Sequence, residues 1–249
     1  MSVLREIHRR LPTHPTLYFA DQTHLPYGPR PSEETQRYVE TITRFLLERG
    51  AAVIVLACNA ASAASLLYLR ERYPAVPFVG MEPAVKPAAE ATQTGVVGVL
   101  TTRTTANGAL YRRVLERYAE GVQVMTQIAP ELVQIAEANS QHTADSRTII
   151  QSYVEPLVAA GADQIVLACT HFPFLAETIQ AITGPNVHLI DPAPAVARQV
   201  ARVWPENLTS ANAPNDYFTS GDVEQFQAMV KTLMGVAINA QSVCLPTLA

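Results

Sequence analysis

Lysine and cysteine are scarce in this 249-residue chain, and each shortage removes a class of chemistry. Lys86 and Lys231 are its two lysines. An enzyme of the pyridoxal type needs one to form a Schiff base, whereas Lys86 stands before Pro87 at a helix start and Lys231 in an amphipathic C-terminal segment, both reading as surface positions. Cofactor-free chemistry is favoured. Three cysteines at wide spacing, Cys58, Cys169 and Cys244, do not make a disulfide framework and leave thiols available. Charge is also sparse: 16% of residues are charged, the formal net charge is −4, and no basic cluster suits nucleic acid. No apolar run approaches the roughly 20 residues of a membrane helix, and the opening MSVLREIHRR is too charged for a signal peptide. The chain therefore reads as soluble and cytoplasmic, with no membrane partner. No G-x-S-x-G elbow, P-loop or G-x-G-x-x-G fingerprint follows a strand, which removes the usual support for hydrolase, nucleotidase and dehydrogenase readings. Cys58, Cys169 and His171 offer zinc-type donors, but no fourth ligand has diagnostic spacing, so no metal is expected.

What is present is apolar and periodic. Apolar residues make up 48% of the chain, enough for one large domain or two small ones with their own cores. β-rich runs at 16–20, 52–57, 78–80, 95–100, 122–125, 164–168, 187–190 and 216–220 alternate with helical periodicity at 3–10, 32–48, 61–72, 84–93, 106–119, 130–139, 144–160, 174–183, 193–203 and 222–234. Near-continuous apolar strands between helices predict an α/β fold with largely parallel sheets, doubly wound, whose ligands bind at the carboxyl ends of the strands.

A short internal repeat sharpens this. Residues 50–58 read GAAVIVLAC and residues 161–169 read GADQIVLAC, identical at seven of nine positions with an offset of 111. Each copy is a strand running into a cysteine, then a polar residue, Asn59 or Thr170, before a helix. Two pseudo-symmetric lobes are expected, residues 1–82 with 190–249 and residues 83–189, with the active site in a cleft between them. Two thiols offered to one ligand from opposite sides suit proton transfer at a stereocentre, which needs a base on one face and an acid on the other. A helix N-terminus at each cysteine would favour the thiolate, and His171, two residues after Cys169, could tune the thiol or shuttle a proton. Asp21, after a strand, reads equally as a binding group or a loop cap. The histidines other than His171 read as surface residues.

LYFADQTHLPYG (17–28), IVLACNAASA (54–63), VGVLTTRTT (97–105), IVLACTHFPFL (165–175), LIDPA (189–193) and FTSGD (218–222) resemble, in order and spacing, the glutamate racemases of the cofactor-independent aspartate/glutamate racemase superfamily. That resemblance implies interconversion of L- and D-glutamate for peptidoglycan in the cytoplasm, without cofactor, by a homodimer. It makes Cys58 and Cys169 the paired acid and base, with the first thiol assigned to the D-isomer. His171 and Glu137 match the groups assisting the second thiol. Pro26, Tyr27, Gly28 and Asn59 match the loops that hold the substrate carboxylates, and Thr102, Thr105 and Thr170 match the hydroxyl contributors. Pro29 and Ala60 occupy binding-loop positions where the family carries small polar residues. Ala129 replaces a common cysteine. The family pattern also places a strand and an Asp-Ser-Gly turn ahead of SVLREIH, on which this sequence opens. Two alternatives stay open: a racemase of the same superfamily acting on another substrate such as aspartate, and a catalytically impaired binding protein of the same fold.

Overall fold

The computed structural model describes residues 1–27, 30–205 and 213–246. In chain order the elements are α1 (Ser2–Arg10), β1 (Leu17–Ala20), α2 (Ser32–Glu48), β2 (Ile54–Val55), α3 (Asn59–Arg72), β3 (Phe78–Val79), α4 (Val85–Ala91), β4 (Val96–Thr101), α5 (Arg103–Asn107), α6 (Ala109–Tyr118), β5 (Gln123–Ile128), α7 (Glu131–Glu137), α8 (Ala144–Ala159), β6 (Gln164–Leu167), α9 (Ala176–Thr183), β7 (His188–Ile190), α10 (Ala193–Val203), β8 (Asp216–Thr219), α11 (Val223–Met234) and β9 (Ala240–Ser242). A single 3₁₀ turn, Phe172–Leu175, precedes α9. Every strand pairing among the described residues is parallel, so the molecule is a mixed α/β protein.

The chain separates into two compact units, one gathering Val3–Gly80 and Pro194–Ala249, the other Met81–Ala193. In the second unit the sheet order is β5-β4-β6-β7. Side-chain alternation sorts its residues: Val97, Val99, Val166 and Ala168 pack with Val85, Tyr111 and Val114 on one face. Leu100, Ile165 and Leu167 pack with Leu132, Ile150, Leu157 and Ile179 on the other. Helices cover both faces, which is why these strands are apolar throughout. Gly98 faces α8, where a Cβ would meet Leu157 Cδ1 at 2.9 Å, so the helix lies close against the sheet.

In the first unit the described strands form two sheets, β1-β8-β9 and β2-β3. Ile54, Leu56 and Phe78 pack with Val39, Ala61 and Leu69, and Ala20 and Tyr217 with Leu4, Phe226 and Val230. From α2, Phe45 meets Phe19 and Phe218 edge-on at 5.4 and 5.0 Å.

The two copies of the repeat begin alike. Gly50 and Gly161 take φ of +85° and +90°, the left-handed region that glycine enters without Cβ strain. Their N–H groups, and those of Ala51 and Ala162, close the preceding helices on Leu47, Val158, Leu46 and Leu157 carbonyls. A helix stop and a strand start are thus written into one G-A dipeptide, twice.

Three elements differ from expectation. The helical stretch 106–119 is divided at Gly108, whose backbone is extended (φ −72°, ψ 144°), into α5 and α6. The 3₁₀ turn replaces the first part of the helix expected over 174–183, because a three-residue period buries both Phe172 and Leu175. Strand β9 has no counterpart in the sequence reading, since its three residues, Ala-Gln-Ser, carry no apolar alternation.

Candidate active site

In the second unit the chain moves from β4 to one side of the sheet for β5 and to the other for β6, so the strand order reverses between β4 and β6. Crevices at the carboxyl ends of strands form at such reversals. There Ala168 donates its N–H to the Leu100 carbonyl at 2.8 Å, which sets Cys169 beside the chain leaving β4. Thr102 sits at the N-cap of α5 and Thr105 is buried within it. Cys169 and Thr170 are half-buried.

Cys169 does not begin an α-helix, contrary to expectation: Phe172–Leu175 and its preceding turn intervene. A side-chain chain stands in for the helix end. The His171 ring places Nδ1 3.7 Å from Cys169 Sγ and Nε2 3.1 Å from Glu137 Oε1. Burial works against charge on this imidazole, but its hydrogen bonds with Cys169 and Glu137 and their negative charges outweigh that and push it up to about 9. It is therefore an imidazolium at neutral pH, donating from both nitrogens. The same bond holds the Glu137 carboxyl below the usual carboxylate range. Glu137 closes α7 with its side chain 46% exposed, against 27% for His171, so the charge chain runs from half-buried sulfur outward to water.

In the first unit Cys58 is the N-cap of α3, with extended backbone at φ −153° and ψ 129°. Its carbonyl accepts the Ser62 N–H at 2.9 Å, and the Ser62 hydroxyl reaches back to the Leu56 carbonyl at 3.1 Å. Asn59, the first residue of this 14-residue helix, is buried, and Ala60 is half-buried. The sulfur thus stands at the partially positive end of a helix. Tyrosines surround it electrostatically: Tyr18 is pushed up to about 12 by burial and then by the negative charge of Cys58. Tyr27, packed on the same apolar cluster as Cys58, is raised by burial, by Asp21 and by Cys58. Pro26 is exposed, and Gly28 and Pro29 lie outside the described residues.

One group was missed in sequence. His24 is not a plain surface residue: it is half-buried and bonded to Asp21 at 2.8 Å, with the i, i+3 spacing in DQTH as its only signal. His8 is likewise half-buried and meets the Thr16 hydroxyl at 2.9 Å. Lys86, Lys231 and Cys244 are exposed. Among the described residues, no three His, Cys, Asp or Glu side chains cluster to hold a metal, and no helix is long and apolar enough to cross a membrane.

Comparison with known proteins adds a family. Residues 1–200 match the model for Asp/Glu/hydantoin racemase. Among curated proteins, a glutamate racemase of Ectopseudomonas mendocina is 46% identical, covering 94% of this chain and 90% of its own. One of Roseiflexus sp. is 44% identical, covering 94% and 88%. Among solved structures, Escherichia coli glutamate racemase in complex with L-glutamate and the activator UDP-MurNAc-Ala superposes with a TM-score of 0.86 at 30% identity, covering 100% of this chain and 94% of that one.

Proposed function

The chain belongs to the Asp/Glu/hydantoin racemase family, a family of isomerases, and from that premise we propose that it inverts the α-carbon of glutamate by moving one proton between two thiols. The observation that carries the proposal is the sulfur–imidazolium–carboxylate chain Cys169–His171–Glu137, matched in the other unit by a cysteine at the same point of a repeated motif.

The direction of each step follows the family resemblance, which assigns the first thiol to the D-isomer. Cys169, as thiolate held beside the His171 cation, removes the α-proton of L-glutamate, forming an S–H bond while the C–H electron pair stays on the substrate. The Cys58 thiol delivers its proton to the opposite face, giving D-glutamate and a Cys58 thiolate. For D-glutamate the roles reverse, and proton exchange with water resets both sulfurs. Asn59, Thr102, Thr105 and Thr170, with the Pro26–Pro29 loop, hold the substrate carboxylates. Glutamate as substrate draws on the curated relatives' names and on the L-glutamate in the Escherichia coli complex. D-glutamate made this way would serve peptidoglycan synthesis in the cytoplasm.

The test incubates the purified chain with L-glutamate in D₂O, and L-aspartate in parallel, following Cα deuterium uptake and D-isomer formation. Inversion with exchange on glutamate alone is the expected result. Inversion of aspartate instead moves the substrate assignment within the family. Silence on both is resolved by adding the family's strand and Asp-Ser-Gly turn ahead of residue 2: rescued activity keeps the racemase reading, and continued silence rejects it and leaves a binding protein of this fold.

A further inference from the structure

Asp21 takes no part in the reaction above, yet side chains from two distant segments converge on its carboxylate. It follows β1 directly and is 9% exposed. Oδ1 accepts from His24 Nδ1 and from the Ser220 hydroxyl, both at 2.8 Å. Oδ2 accepts from the Tyr27 hydroxyl at 2.6 Å and again from His24 Nδ1 at 3.0 Å. The segments are also sewn together directly: Thr23 donates its N–H to Ser220 Oγ at 3.1 Å and its hydroxyl to the Ser220 carbonyl at 2.7 Å. The Thr219 hydroxyl reaches Gln22 Oε1 at 2.6 Å. Behind this knot the His24 ring stacks on Tyr38 with centroids 3.8 Å apart. Arg30 Nε returns to the His24 carbonyl at 2.7 Å. The loop that carries Pro26 and Tyr27 is therefore tied at both ends, and FTSGD, a motif the reaction left unused, supplies one of the ties.

A buried carboxylate is expensive unless every donor aimed at it is in place. That cost turns the three donors into a conformational lock: a loop position that withdraws Tyr27 or His24 strands the charge. We infer that Asp21 is the positioning residue of the first unit, holding the Pro26–Tyr27 loop from behind in its substrate-binding conformation and so setting affinity for glutamate. This rests on the reading of that loop as a substrate loop. Tyr27 keeps its proton to donate, since burial and the Asp21 charge both oppose its ionisation.

The experiment compares wild type with Asp21→Asn, Tyr27→Phe, Ser220→Ala and the Asp21→Asn/Tyr27→Phe double variant. Expected for Asp21→Asn is a KM for glutamate raised about tenfold or more with kcat changed less than about threefold, the signature of lost binding rather than lost chemistry. The double variant should lose less than the sum of the two single losses, because both act on the shared Asp21–Tyr27 contact. Ser220→Ala should shift KM the same way and less. An unchanged KM in Asp21→Asn, a fall in kcat alone, or additive losses overturn the inference. Should Asp21→Asn fail to fold, the KM shifts of Tyr27→Phe and Ser220→Ala decide. Amide hydrogen exchange without substrate separates this from failure of the racemase reading. Faster exchange confined to residues 22–27 in Asp21→Asn and Ser220→Ala supports the lock even in a chain inert toward glutamate, and unchanged exchange rejects it.

Discussion

Cys58 and Cys169 end two strands that are nearly identical in sequence, and their surroundings have almost nothing in common. Cys58 meets the start of a 14-residue helix, with tyrosines as its electrostatic neighbours. Cys169 meets a 3₁₀ turn, an imidazolium at 3.7 Å and, through it, a carboxylate. Beside one sulfur stand backbone dipoles that no pH change can remove, beside the other an imidazolium whose charge can be titrated away. Symmetry of the strand therefore does not extend to symmetry of control. In the proposed reaction, which runs in both directions, the titratable charge would act on the Cys169 side alone.

Five tests would break or sharpen that contrast. The largest effect is expected from the sulfurs: Cys58→Ser and Cys169→Ser should each lower racemisation by about a thousandfold, within the range for losing an acid–base group, measured as D-glutamate formed. Full activity in either variant ends the pairing. Next is His171→Asn, expected to cost about tenfold to a hundredfold. L- and D-glutamate have equal free energy, so kcat/KM must fall equally in both directions. The asymmetry should appear instead in the Cα-deuterium isotope effects, which should rise more starting from L-glutamate than from D-glutamate.

The pH profile comes third. His171 is raised from 6.5 to about 9, so its cation is complete below neutral pH and disappears as pH climbs through 9. Wild-type kcat/KM should carry a falling limb there that His171→Asn lacks, and the His171 contribution to stability should be lost over the same interval, seen as a Tm that declines more steeply in wild type. Glu137→Gln should lower the His171 titration midpoint, read by NMR, with a loss of activity of only about tenfold or less, since Glu137 is half-exposed and screened. The smallest effect is a control. Asp222 and Thr143 cap α11 and α8 with side-chain bonds, and replacing either by Ala should cost about 1 kcal/mol of stability by chemical denaturation while leaving the isotope effects untouched.

Most of the element order was legible because the strands are continuous apolar runs and the helices end on turn residues; α2 occupies the expected 32–48. The thiols were legible because a repeat marked them. What sequence could not show lies in long-range pairings. Glu137 and His171 are 34 positions apart and Asp21 and Ser220 are 199 apart, and no local spacing encodes either bond. His24 looked like any other surface histidine until its carboxylate partner had a position. The contrast between the thiols was hidden for a subtler reason. THFPFL scans as a helix start, and only the packing of Phe172 and Leu175 turns it into a 3₁₀ turn.

The parallel pairing of β1 with β8 has a consequence for the living ribosome. Residues 81–193 leave the exit tunnel as one continuous stretch, whereas β1 must wait for a partner 199 positions downstream. At about 5–20 residues per second that delay is about 10–40 s. Throughout it Leu4 of α1 and Ala20 of β1 lack the Tyr217, Phe226 and Val230 side chains that cover them in the finished unit.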